Sequence, residues 1–336
     1  MARVAVVTGG TAGIGLATAH RFAARGWSVA VIAREPGRLA AARTALEAYG
    51  RPVLAIRADV ADAQAVDAAA ERVETELGPI RAWVNNAMST VVNPADRITP
   101  EEYRRVTETT YLSQVYGTLA ALRYMKPRNR GAIIQVSSGL GIRAAPLQAP
   151  YCAAKFAVSG FTDALRCELI HDRVDVSLSV VYLPAVNTPQ FDWARNRTGR
   201  GQYAPDPVFD PRLCAEAILY AVENPRREVW VGRSSVLMAA AQAIAPGLAD
   251  RKAASMWDAQ LTDAPAPERA GNLTEPVPGD VGIDGRFRDR TKTARSEFWT
   301  SRERDFLVMG LAGLAVVGLA GAAALAGAPR RLLSRM

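Results

Sequence analysis

Seven short runs of β-branched and apolar residues recur through the first 235 positions, at 3–8, 28–33, 52–57, 80–85, 131–137, 175–182 and 228–232. Longer stretches with helical spacing separate them, among them Gly13–Arg25, Ala61–Leu77 and Pro100–Met125. This alternation constrains the fold more than any other feature. Strands joined by crossover helices lie parallel, with helices on both faces of one sheet. The sequence therefore predicts an α/β chain with a doubly wound parallel sheet of about seven strands, contained in a domain over residues 1–250. No internal repeat is visible. Pro211 after Asp210 reads as the first turn of a final helix with an acidic N-cap.

The first strand runs into Thr8-Gly9-Gly10-Thr11-Ala12-Gly13-Ile14-Gly15, which opens the first helix. Glycines there allow a tight turn and close approach of a pyrophosphate, which the free N–H groups of the helix N-terminus hold. Glycine-rich turns are common between strands and helices; placement on the first βα unit makes this one a Rossmann-type dinucleotide signal. Strand two ends at Ala33-Arg34, without the carboxylate that NAD enzymes direct at the ribose hydroxyls. A guanidinium matches a 2′-phosphate instead, which favours NADP over NAD.

A second constellation follows. Ser137-Ser138 closes strand five, and Tyr151-Cys152-Ala153-Ala154-Lys155 opens the next helix. Spacing of four puts Tyr151 and Lys155 on one helical face. An ammonium beside a phenol favours phenolate, lowering a pKa of about 10 toward the working range. Such a tyrosine exchanges a proton with an alcohol or carbonyl oxygen, and a nearby serine can hydrogen-bond that oxygen. The chain has four lysines, so one falling here by chance is improbable.

Over roughly residues 1–235 the chain resembles the short-chain dehydrogenase/reductase family. It shares the Thr-Gly-x-x-x-Gly-x-Gly loop, Asp59-Val60 after strand three, Asn85-Asn86-Ala87 after strand four, Ser138, and Tyr-x-x-x-Lys. The resemblance implies an alcohol/carbonyl oxidoreductase. Thr8, Gly9, Thr11, Gly13, Ile14 and Gly15 would cradle the cofactor, with Arg34 at the 2′-phosphate. Asp59 and Val60 would line the adenine, and Asn86 and Ala87 would lie under the ribose. Ser138, thirteen residues before Tyr151, is the expected catalytic serine. Tyr151 would be general acid/base, and Lys155 would lower its pKa and bind the nicotinamide ribose. A homodimer or homotetramer is expected.

Three positions depart from the family pattern. Met88 stands where a glycine gives clearance above the cofactor, and Ala185 replaces the glycine after Pro184. Tyr111 occupies the expected place of the helix-four asparagine that holds a water in the proton relay. Thr188 could still reach the carboxamide. Substrate selectivity is expected in Leu140 to Gln148 and in a lid beginning at Gln190-Phe191-Asp192-Trp193. Met88, Leu140, Ile142, Leu147, Phe191 and Trp193 would form an apolar pocket.

Other chemistries are disfavoured. His20 and His171 have no metal-type spacing, so no metal site is expected. No histidine accompanies Ser138, and Cys152 reads as a packing residue. Three unpaired cysteines speak for a reducing compartment. Basic residues are not interleaved with aromatics along one element, which argues against nucleic acid; 37 of the 41 are arginine, a bias of composition.

The last hundred residues differ in kind. Residues 264–280 are rich in proline and polar residues, so 251–305 reads as a linker or strap with a basic juxtamembrane part. Of the net charge of +8, about +5 falls from Asp284 onward. Phe306 to Ala328 is 23 residues without a charge, long enough at 1.5 Å per residue to cross a hydrocarbon core of about 30 Å. A single-pass membrane helix over 306–328 with a basic tail at 329–336 is expected, the catalytic domain lying on the cytoplasmic side. A re-entrant or interfacial helix is the alternative.

These readings combine into an NADP(H)-dependent oxidoreductase acting on a lipophilic small molecule at a membrane. The rival is a nucleotide-binding regulatory or scaffold protein with weak or no catalysis, for which Met88, Ala185 and Tyr111 speak. An epimerase or dehydratase would need tightly held NAD and a larger substrate domain, and Arg34 and the linker-like 251–305 count against it.

Overall fold

The structure, a computed structural model, describes residues 3–279, 281–303, 305–306 and 309. Each of the seven expected runs is a strand: β1 Val4–Thr8, β2 Ser28–Ala33, β3 Val53–Arg57, β4 Ile80–Asn85, β5 Gly131–Ser138, β6 Val176–Leu183 and β7 Glu228–Val231. The helices between them are α1 Gly13–Ala24, α2 Pro36–Glu47, α3 Ala63–Glu76, α4 Pro100–Thr107, α5 Ser113–Met125, α6 Ala149–His171 and α7 Pro211–Glu223. Asp210 caps α7, its carboxylate accepting from the Arg212 N–H.

An eighth strand lies outside the expected set. β8, Phe298–Thr300, pairs antiparallel with β7 at the sheet edge, giving the order β8-β7-β6-β5-β4-β1-β2-β3. The parallel sheet is thus extended by a strand from the segment expected as linker. Three aromatic or β-branched residues at 298–300 are too short a signal to stand out against the turns around them.

Alternate residues of β1 serve opposite layers. Val4 and Val6 pack with Val66, Leu122 and Leu165 of α3, α5 and α6, while Ala5 and Val7 pack with Phe22, Leu46 and Ile218 of α1, α2 and α7. Both faces are dry, as a parallel sheet requires. Strand order reverses between β1 and β4, and ligands bind beyond the carboxyl ends of strands at such a point.

After β7 the chain forms α8, Arg233–Ile244, and α9, Pro246–Ala254, where regularity was expected to fade. Leu261–Pro265 then pairs antiparallel with Arg200–Gln202. Residues 271–279 and 281–285 lie along the carboxyl edge of the sheet as a strap. The segment 306–328, expected to cross a membrane, lies outside the described residues except for Phe306 and Met309. Among the described residues no helix is long and apolar enough to span a bilayer.

Candidate active site

The glycine loop is shaped by contacts only glycine permits. A Cβ on Gly15 would stand 2.1 Å from the Gly9 carbonyl oxygen, and Gly13 has φ +52°. Across the switch point, Thr8 Oγ1 accepts from the N–H groups of Asn86 at 2.9 Å and Ala87 at 3.1 Å. The Asn86 amide donates back to the Thr8 carbonyl at 3.0 Å. Its neighbour Asn85 is spent on structure, its amide donating to Gln114, Thr118 and Gln135.

Arg34 stands at the end of β2, as its sequence position requires. The next residue, Glu35, caps α2: its carboxylate accepts from the Gly37 and Arg38 N–H groups, which hold its pKa below the usual carboxylate range. The carboxylate next to Arg34 in sequence is therefore committed to a helix terminus. Arg34 does not project freely into the cleft. It donates to the carbonyls of Asn272 at 2.6 Å and Thr274 at 2.5 Å on the strap, with Asp59 Oδ2 at 3.9 Å. Arg38 donates to the carbonyls of Val277 and Gly279 and stacks its guanidinium on Trp193 at 5.2 Å. Arg105 joins Asp59 to the Leu273 carbonyl, and the Gly13 N–H donates to the Gly282 carbonyl at 3.0 Å. Asp59 is thus ion-paired beside Val60 at the rim.

At the other end of the cleft Ser138, Tyr151 and Lys155 come together, all buried. Ser138 hydrogen-bonds the Tyr151 phenol and accepts from the Leu140 N–H. Ser137 faces the other way, toward α6, where its Oγ has no partner. Lys155 Nζ donates to the Val136 carbonyl at 2.7 Å and lies 5.7 Å from the Tyr151 ring centre. Burial dominates both titrations. It pushes the phenol above its usual value, against the pull of the Ser138 hydrogen bond, and lowers Lys155 to about 7. The expected lowering of the phenol by the ammonium is outweighed, because removing a charge from water costs more than a lysine directed at a carbonyl returns.

A cavity of about 410 Å³ joins the two ends, from Gly9, Gly13, Ile14 and Thr11 past Ala87 and Thr188 to Tyr151. Met88, Leu140, Phe191 and Trp193 line it as expected. Ile142 does not; it packs with Val180, Tyr182 and Trp230. Leu147 is likewise drawn away, against Val92 and Leu261. Gln148, the end of the expected selectivity stretch, lines the cavity too, whereas sequence reasoning missed Arg38, Met238, Met256, Gln260 and Asn272, all in the lining. Arg38 follows Arg34 by four residues, a signal within reach; the others come from remote elements and have none. Cys152 is buried with its thiol pKa raised by burial, so it packs.

Helix four also needs correction. A π-turn at Glu108–Leu112 joins α4 to α5 and shifts the register of the faces by one residue. Tyr111 consequently meets Phe161 edge-on at 6.5 Å. Thr110, fully buried, turns inward and exchanges two hydrogen bonds with the Ser89 backbone, which follows the Asn-Asn-Ala turn.

Residues 3–198 match the family model described as short chain dehydrogenase. Curated relatives include the oxidoreductase YxnA of Bacillus subtilis, 32% identical over 80% of this chain and 76% of its own. A fatty acyl-CoA reductase of Acinetobacter baylyi is 29% identical over 73% of this chain and 81% of its own. A 3-dehydrosphinganine reductase of Danio rerio is 31% identical over 55% and 57% respectively.

Proposed function

The chain belongs to the short-chain dehydrogenase family, and on that premise we propose that it is an NADP(H)-dependent oxidoreductase that reduces a carbonyl on a lipophilic molecule. One observation carries this reading: a buried phenol, hydrogen-bonded to Ser138, ends an apolar cavity whose far end holds the half-buried Arg34, the buried Arg38 and a glycine cradle. The residues fit a phosphorylated dinucleotide. Gly15 leaves room where a Cβ would collide, the Asn272 side-chain oxygen is buried without a partner, and Arg34 and Arg38 offer guanidinium donors with Glu35 withdrawn. Bound NADPH supplies the hydride.

Tyr151 supplies the proton. A phenol whose pKa is raised by burial is protonated at neutral pH, the state that donates to a carbonyl oxygen during reduction. Ser138 holds that oxygen in line with the phenol. Lys155, with a pKa near 7, can take up and pass on the proton that restores Tyr151. Thr188 and Asn86 bound the space for the nicotinamide half. Met88, Leu140, Phe191 and Trp193 surround the substrate end with hydrocarbon, sulfur and ring surfaces, which suits a long-chain carbonyl; two of the relatives are named for long-chain substrates. Residues 306–328 serve as membrane anchor in this reading, with the catalytic domain on the cytoplasmic face and a dimer or tetramer as the assembly.

NADPH oxidation with lipophilic ketones and aldehydes tests the chemistry. Tyr151→Phe should lower turnover by about 10²–10⁴-fold, the usual contribution of a positioned acid, while leaving calorimetric NADPH binding in place. Binding without any Tyr151-dependent turnover would select the scaffold reading instead.

A further inference from the structure

Helix α8 carries two unlike faces. Ser235 and Val236 are buried, Val236 against Trp230 and the β8 residue Trp299. Met238 reaches the cavity beside Gly139. On the outer side Leu237, Ala241 and Ile244 follow one another at four and three residues, a helical stripe. Leu237 is 56% exposed, Ile244 79%, and Leu248 on α9 65%. A helix packed on one side is ordinarily polar on the other, and this one is not.

The charges around the stripe are of one sign. Asp250 is paired with Arg143, and Asp258 with Arg200, which also meets Asp263, so the charges without a salt bridge among the described residues of α8 and α9 are the cations alone. Arg233, Arg251 and Lys252 are exposed and make no salt bridge with another described residue. Apolar side chains edged by free cations are the make-up of an interfacial helix on anionic lipid. Position agrees: β8 packs against α8, and within six residues of Thr300 the chain enters the uncharged run beginning at Phe306.

We propose that the outer face of α8 and α9 lies in the interfacial layer of an anionic bilayer, so that the cavity takes its substrate from the lipid. The inference rests on the anchor reading given above. One pair of helices then has lipid on its outer side and the cavity on its inner side, where Met238 of α8 and Met256 just beyond α9 offer adaptable thioether walls to an alkyl chain. A second copy of this chain fits the stripe less well, because Arg251 and Lys252 would face like charge across a two-fold axis.

The test uses the full chain with Cys167→Ser, which removes the exposed thiol, and an environment-sensitive fluorophore on Leu248→Cys. On phosphatidylglycerol-containing vesicles the label should brighten and be quenched by spin-labelled lipid, whereas a label on Tyr49→Cys should stay aqueous. Leu237→Glu with Ile244→Glu should still float with vesicles and reduce a short water-soluble aldehyde. Its turnover of a vesicle-borne ketone should fall about tenfold, since charged groups at both positions oppose entry into the interface. A label that stays aqueous while the protein floats overturns the docking and leaves the anchor standing. Failure to float removes the anchor and the docking together. Lipid-independent quenching that grows with protein concentration assigns the face to a second copy and overturns the proposal. If the double variant loses the soluble aldehyde as well, the label measurement alone decides.

Discussion

The cofactor end of the βα layers and the strap that crosses it hold the same cleft by opposite means. Around the glycine loop, side chains fix backbone: Thr8 gathers the Asn86 and Ala87 N–H groups, and Glu35 caps α2. Along the strap, backbone is the ligand: the carbonyls of residues 272, 273, 274, 277 and 279 are gripped by Arg34, Arg105 and Arg38. The first arrangement is local to strand ends and survives any neighbour. The second exists only because residues 168 to 241 apart in sequence meet. Carbonyl groups on two guanidinium forks are also exchangeable for phosphate oxygens, which bind such forks more strongly.

The contrast can be broken most severely at Gly15. Gly15→Ala sets a methyl against the Gly9 carbonyl, and the loop must move; NADPH binding should be lost and thermal stability should fall by about 1–3 kcal/mol. Gly282→Ala, on the strap, finds open space and pays only for φ +63°; about 1 kcal/mol is the expected local cost, read as faster proteolysis at Arg286 with the sheet intact. Similar losses from the two glycines would erase the distinction.

Leu273 is the strap's one buried foot, 3% exposed in the cluster with Val91, Ile98 and Tyr151. Leu273→Ala should weaken its seating by about 2–4 kcal/mol. Amide exchange should quicken along 271–285 and not in β1 or β4. Uniform quickening would mean that strap and sheet open as one unit.

Cofactor choice is a smaller effect. Arg34→Ala removes charge-assisted bonds worth about 1.5–3 kcal/mol, so NADPH should lose roughly ten- to hundredfold in affinity against NADH. An unchanged ratio would leave Arg34 with the strap as its only task.

A last effect is spread over pH. Lys155 has its pKa lowered from 10.5 to about 7 by burial. Between those values the unfolded chain binds more protons, so stability rises with pH from about 7 to about 10, by at most about 1.4 kcal/mol per unit from this group. Lys155→Met should remove that slope from thermal melts; a slope that persists would assign it to other groups.

Much of the site was legible because its residues sit at element ends. Gly13, Gly15, Tyr151 and Lys155 follow from the strand-and-helix rhythm plus a short spacing, while Asn86 and Ser138 came from the resemblance to the family. Ile142 and Leu147 escaped because direction within a loop has no periodicity; Leu147 even takes φ +68°. Tyr111 was misplaced for a sharper reason. The π-turn adds a residue to an otherwise helical run, so counting by 3.6 goes wrong at that point, and Thr110 takes the inward place. Met238, Met256 and Asn272 come from beyond residue 235, where no motif ties a side chain to the cleft.

By itself, then, the sequence determined the parallel sheet, its helical layers and the two chemical ends of the cleft, since alternation and short-range spacing depend on neighbours along the chain. Tertiary structure alone decided that 298–300 would complete the sheet edge, that the arginines at the cofactor end would meet a strap, and that burial would raise the pKa of Tyr151. Each of these depends on desolvation or on contacts between distant segments, and neither leaves a periodic trace in the order of residues.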